Sequence, residues 1–170
     1  MCQLCGEFGA SVHAIALSER PSHRLAGRYW EGSDEAAARG ALLPLIEQAK
    51  TFSAGLSGLW KSPIVALSWN DRPGGFRQFV GVAVEEGERL EDGMETLELP
   101  DMTLASSWHG PDDGSVVEHY GRMLGWVGER GLEWDRSRFH QREEYPPDID
   151  LSGPLALRLL IPLVEGPARR

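Results

Sequence analysis

One order of elements occurs twice along this chain, and that repetition limits the fold more than any other feature. In the first half, residues 23–30 read as a strand, and Ser33 follows as an N-cap with Asp34 and Glu35 placed to complement a helix dipole. A helix is expected from there to about residue 52, with Ala38, Leu42, Leu45, Ile46 and Ala49 at core spacing. Pro44 lies in its middle and should kink or split it. After Gly55 and Gly58, residues 64–69 and 76–84 read as two strands joined by the turn cluster 70–75. The second half repeats this order. Residues 94–99 lead to Pro100, 102–108 read as a strand, and 109–114 as a loop. Ser115 and Glu118 make a capping box for a helix that carries Val116, Tyr120, Met123, Leu124 and Val127 on one face and ends near Gly131. A strand through Glu143 and a last strand at 155–164 complete the half.

The residues themselves support a duplication. Leu25-Ala26 matches Leu104-Ala105, Pro21 matches Pro100, and Trp30-Glu31-Gly32 matches Trp108-His109-Gly110 after a one-residue gap. Trp69 then falls opposite Tyr145, and Val84-Glu85 opposite Val164-Glu165. The expected class is α+β: tandem β-α-β-β repeats whose three-stranded halves pack as one curved antiparallel sheet, two helices behind it, and a ligand cleft at the internal two-fold. The domain is expected over residues 19–170, with repeats at 19–87 and 94–166. Residues 1–18 form a separate N-terminal segment, with at most a short strand at 12–17.

A formal net charge of −9 argues against direct nucleic-acid binding, which needs a basic footprint, and leaves small neutral or cationic ligands as the expected partners. The two cysteines, Cys2 and Cys5, form a C-x-x-C without a second ligand pair, so neither a zinc site nor a redox motif is expected, and no cofactor is implied. No stretch approaches the ~20 apolar residues of a membrane span, and no signal peptide is evident. A cytoplasmic location is expected.

The stretch Phe139-His140-Gln141-Arg142-Glu143-Glu144-Tyr145-Pro146-Pro147 carries the chemistry. The double proline closes the strand after Tyr145, because proline cannot donate to a ladder. Alternation along the strand puts Glu143 and Tyr145 on one face and Arg142 and Glu144 on the other. Glu143 reads either as a surface residue paired with an arginine or as a cleft carboxylate that meets a cation or activates a water. A register slip of one residue would exchange it with Glu144. Trp30, Trp69, Trp108 and Tyr145 are the aromatic candidates for cleft walls, with plain core packing as the alternative. Trp126 is assigned to the core, while Trp60 and Trp134 stay unassigned. His109 is either a ligand donor or a histidine that holds its turn. His13, His23, His119 and His140 show no metal spacing, and His119 is expected on the surface. There is no phosphate loop, nucleophile elbow or Ser/His/Asp arrangement, so covalent catalysis is disfavoured.

The order and spacing of several short segments resemble the GyrI-like domain, the effector module of AraC-type and MerR-type regulators. They are Glu98-Leu99-Pro100, His109-Gly110-Pro111, the helix end Trp126 to Leu132, Arg142-Glu143-Glu144-Tyr145 and Leu160-Ile161-Pro162-Leu163. The likeness runs from about residue 20 to the end and is strongest in the second half. It implies a duplicated SHS2-like module with a cleft at its pseudo-two-fold, into which the glutamate matching Glu143 projects. The stretch after the tyrosine departs from the family, with Pro146-Pro147-Asp148 in place of a longer segment. With no helix-turn-helix in the chain, a freestanding member is expected.

Freestanding members include drug-binding proteins, proteins that inhibit DNA gyrase, and hydrolases that open the ring of cyclopropanoid DNA-alkylating toxins. For a hydrolase, the resemblance implies a glutamate that activates water and a donor for the developing phenolate. Glu143 is expected as the base and Tyr145 or His109 as the donor, with Trp30, Trp69, Trp108, His109, Glu143 and Tyr145 as the expected ligand-binding set. The alternative is a non-catalytic multidrug-binding protein, or a gyrase-directed one with DNA gyrase as its partner.

Overall fold

A computed structural model describes residues 14–58 and 60–166. The elements run β1 (Ala16–Arg20), β2 (His23–Ser33), α1 (Asp34–Ala38), α2 (Leu43–Gly55), β3 (Ile64–Arg72), β4 (Gly75–Val84), β5 (Glu95–Leu99), β6 (Met102–His109), α3 (Val116–Glu129), β7 (Gln141–Tyr145) and β8 (Leu157–Pro162). All strands join one antiparallel sheet in the order β1-β6-β8-β7-β3-β4-β2-β5. The two repeats meet at β7 and β3, so the internal two-fold passes between these central strands, as the duplication requires.

The sheet has eight strands where the tandem repeat alone predicts six. The extra two, β1 and β5, are exchanged: β1 precedes β2 but pairs with β6, and β5 precedes β6 but pairs with β2. The matched prolines Pro21 and Pro100 stand at the two crossings, where the chain must leave one ladder for another and a missing N–H is no loss. The crossings touch, with the Ser22 N–H donating to Asp101 Oδ1 at 2.6 Å. The sheet therefore curls until both edges reach one place. β1 also crosses the boundary set at residue 19, and the C-x-x-C and His13 lie outside the described residues.

Two apolar clusters divide the faces. One, with Leu25, Val65, Leu67, Phe79, Leu104, Phe139 and Leu160, fills the side away from the helices. The other joins Ala26, Ile64, Ala66, Val80, Tyr145 and Leu159 of the sheet to Ile46, Ala49 and Phe52 of α2 and Tyr120, Met123 and Val127 of α3. Pro44 splits the first helical stretch. α1 is capped by Ser33 Oγ, which accepts from the Ala36 N–H, and α2 restarts with Pro44 in its first turn, where no backbone partner is lost. Ser115 and Glu118 form the capping box of α3 as expected.

At one place the curl demands glycine. Gly27 of β2 pairs with Gly81 of β4, and a Cβ on Gly81 would stand 2.3 Å from the Ala26 carbonyl oxygen. The obstacle is backbone in a continuous ladder and cannot give way. Gly81→Ala is expected to lower stability by about 2 kcal/mol, near the middle of the range for overpacking. Urea unfolding should show a lower midpoint with an unchanged slope.

The cleft between the helices

α2 packs on β3 and β4, and α3 packs on β6 and β8. β7 lies between these covered strands and forms the floor of the groove between the helices. Its double proline stops it at Tyr145, and the segment beyond turns back to α2, where Lys50 Nζ donates to the Ile149 carbonyl at 2.8 Å. Side-chain alternation sends Gln141, Glu143 and Tyr145 toward the helices, because Glu143 pairs with Ala66 and Leu159, both of the helix-side cluster. Arg142 and Glu144 point to the other side.

Glu143 is therefore a carboxylate set among Ala66, Leu159 and Tyr145, only partly shielded from solvent. The Tyr145 hydroxyl donates to Glu143 Oε2 at 2.6 Å. Among the described residues no cation pairs with it. Loss of hydration raises its pKa, and the tyrosine hydrogen bond offsets part of that rise. The Tyr145 hydroxyl is pushed well above its ordinary value by burial and by the adjacent negative charge. Tyr120 completes the group from α3. Its hydroxyl donates to the Arg142 carbonyl at 3.1 Å, and burial together with the charge of Glu143 also holds its pKa well above the usual value.

Glu144 has the opposite environment. Arg20 grips it with two bonds, Nε to Oε1 at 2.9 Å and Nη2 to Oε2 at 2.8 Å, and Arg142 Nε donates to Oε1 at 2.9 Å. Burial pushes its pKa up, but the bonds from Arg20 and the charge of Arg142 outweigh it and hold the pKa below the usual range. Arg142 in turn reaches His23 Nε2 at 3.1 Å. Of the two neighbouring glutamates, one is neutralised by arginines, and the other has the Tyr145 hydroxyl but no cation beside it among the described residues.

The structure does not bring the aromatic candidates together. Trp30 shares the face of Glu143 but stands on β2, in the cross-strand row Trp30, Gln78, Ser68 and Gln141, with its ring 5.2 Å from that of Phe76. Trp69 lies on the other face, beneath the Arg77 guanidinium at 4.6 Å, and its Nε1 donates to the Arg138 carbonyl at 2.6 Å. It is thus not the counterpart of Tyr145 across a cleft: Tyr145 pairs with Ile64, and the odd separation from Ile64 to Trp69 reverses the face. Trp108 also turns away from the helices, with Arg158 at 4.8 Å from its ring. It meets Tyr145 only around the end of β7, in a surface cavity of about 350 Å³ lined also by Arg20, Glu144 and Arg158.

His109 is buried on β6, two strands from the β7 of Glu143, and paired through Nδ1 with His119 Nδ1 at 2.9 Å. His119, expected on the surface, is only 1 % exposed, because it opens the apolar stripe of α3 instead of lying outside it. Tyr120 was hidden in the same stripe. Its position read as core, and only the packing of α3 on β6 and β8 brings its hydroxyl to the Arg142 carbonyl of β7. Trp134, unassigned from sequence, packs against the helix-side cluster and donates from Nε1 to the His140 carbonyl at 2.8 Å.

The model of the GyrI-like small molecule binding domain matches residues 13–164. The chain belongs to the GyrI-like family. Among solved structures, it is similar to EcmrR, whose C-terminal domain shows 18% identity over 90% of this chain and 98% of that one, with a TM-score of 0.67. Against EcmrR in its complex with DNA it spans 57% of that protein's length, covering 88% of this chain at 17% identity and a TM-score of 0.66. SAV2435 bound to tetraphenylphosphonium aligns with a TM-score of 0.64 at 12% identity, covering 89% of this chain and 94% of that one. A hydrolase from Listeria innocua aligns with a TM-score of 0.58 at 14% identity, covering 95% and 97%. At these identities the likeness is one of fold. A search of curated proteins finds no match. No helix among the described residues is long and apolar enough to cross a membrane.

Proposed function

We propose that this GyrI-like domain binds flat or globular lipophilic organic cations between α2 and α3, with Glu143 as the counter-charge. The observation that carries this reading is the state of Glu143: a partly buried carboxylate bonded to the Tyr145 hydroxyl, with no cation beside it among the described residues. A buried unpaired charge is costly, and a ligand cation offsets that cost where water cannot. Tyr145 and Tyr120 place aromatic rings close to that charge, a setting that suits a cation. The tetraphenylphosphonium held by SAV2435 is a ligand of this chemistry on the same fold. Titrating the protein with tetraphenylphosphonium and with neutral triphenylphosphine oxide tests the reading. The cation should bind at least about tenfold more tightly, roughly 1.4 kcal/mol. Equal affinities would overturn the role given to the charge.

A second reading rests on the raised pKa of Glu143 beside a tyrosine hydroxyl at 2.6 Å. Such a carboxylate suits a general base. In this reading it takes a proton from water, and the oxygen attacks the cyclopropane carbon of a cyclopropanoid toxin. The ring bond breaks with its electron pair moving into the dienone, and the resulting phenolate takes a proton. The hydrolase from Listeria innocua shares the fold. Formation of ring-opened alcohol above the buffer rate supports this reading, whereas tight binding without turnover leaves a binding protein.

A further inference from the structure

A group of side chains outside the cleft makes a second, more polar constellation. His109 ends β6, Asp113 lies in the following loop, and His119 sits in the first turns of α3, a spacing of H-x3-D-x5-H. The ligand atoms of the three side chains all lie within 4.8 Å of one another. Both histidines are buried, at 6 % and 1 % exposure. We propose that His109, Asp113 and His119 bind one divalent ion of the zinc class.

The arrangement of the rings favours this over an ordinary polar contact. His119 Nε2 lies 2.9 Å from Ser107 Oγ, which fixes the ring and suits an Nε2–H donating to the hydroxyl, with Nδ1 left as the lone-pair nitrogen. That nitrogen faces His109 Nδ1 at 2.9 Å, where a single proton holds the pair together. Replacing this proton with a dication makes both Nδ1 atoms ligands. Metal–nitrogen bonds of ~2.0–2.1 Å put neighbouring ligands roughly 3 Å apart, close to the spacing already present. Asp113 supplies the third ligand, its carboxylate oriented by the Gly110 N–H, which donates to Oδ2 at 2.7 Å. Outer partners of this kind, a hydroxyl on the imidazole and a backbone N–H on the carboxylate, are what hold metal ligands in place. Two imidazoles and one carboxylate select zinc, cobalt or nickel over magnesium and calcium, which take oxygen. Three protein ligands leave a position for water. An ion here ties the end of β6 to the start of α3, immediately before Tyr120 of the cleft.

The test uses the full chain with Cys2→Ser and Cys5→Ser, so that no thiol contributes to the metal uptake measured. After chelator treatment, the protein is titrated with Zn²⁺ by calorimetry and with Co²⁺ by its visible absorption. One ion per chain is expected, with cobalt bands of nitrogen and oxygen ligation and a rise in the thermal midpoint. Asp113→Asn keeps the acceptor for the Gly110 N–H and should fold normally, yet lose at least about tenfold in affinity, as His119→Gln should. Absence of saturable binding at micromolar metal, or binding unchanged in Asp113→Asn, would overturn the assignment.

Discussion

Glu144→Gln is expected to leave the protein barely folded at neutral pH. The glutamate accepts three bonds from two guanidinium groups, and one of these, Arg142, is 2 % exposed on a strand between Leu67 and Leu160. Glutamine offers one acceptor and turns an amide N–H toward the arginines, so Arg142 keeps its charge without a counter-charge. Breaking one partner out of a buried pair costs about 3–5 kcal/mol, a large part of the ~5–15 kcal/mol that holds a domain of this size. Removing the two buried charges in Arg142→Leu with Glu144→Leu should cost far less, because the cation that remains, Arg20, is only partly buried and reaches water. Urea unfolding of the single and double variants checks this, and a loss below about 1 kcal/mol in the single variant would contradict the triad's role. The pH dependence has a defined sign. A carboxylate whose folded pKa lies below its unfolded value contributes stability that is complete above the ordinary carboxylate range. That contribution fades as pH falls through the depressed pKa, so the wild type should weaken in acid and the double leucine variant should not share that slope.

The contrast between these neighbouring glutamates was partly legible in the residues. Alternation along a strand that two prolines terminate separates Glu143 and Tyr145 from Arg142 and Glu144, and the structure keeps that separation. What pairs with each face was not legible. Arg20 reaches Glu144 across 124 residues of sequence, and His23 meets Arg142 because the sheet curls, a contact between strands that are not ladder neighbours. Neither follows from local pattern.

The duplication was legible in its order but not in its registers. The matched prolines Pro21 and Pro100 mark equivalent places, yet nothing in the residues says that the strands before them change partners. Aligning Trp69 with Tyr145 by counting failed for the same reason. Counting along two segments shows nothing of which cross-strand pairs form, and one residue of slip exchanges faces. The histidine pair was missed for another reason. His109 and His119 lie on different elements, and only the docking of α3 onto β6 brings their nitrogens to 2.9 Å. The signal within reach was the position of His119 one residue before the stripe formed by Tyr120, Met123 and Val127, which places it on the buried side of the helix.

Glu143→Gln should separate function from stability in the opposite direction to Glu144→Gln. The substitution keeps the shape and an acceptor for the Tyr145 hydroxyl, but removes the charge from a site where burial disfavours it. The fold should gain stability, by about 1 kcal/mol on the scale of strained functional sites. Affinity for tetraphenylphosphonium should fall at least about tenfold, whereas affinity for the neutral phosphine oxide should hardly change. In the wild type the sign follows from a folded pKa above the unfolded one. The ionised carboxylate is a liability for folding above that raised pKa, and the liability disappears as protons bind, so this group alone makes the protein more stable toward acid. Cation affinity must move the other way. It should be full above the raised pKa of Glu143 and decline as pH falls through it, at a higher pH than an ordinary carboxylate would set. That decline should be absent in Glu143→Gln. Calorimetric titrations of both proteins from neutral to mildly acid pH read the two slopes, and a cation affinity that ignores both pH and the substitution would remove Glu143 from the binding site.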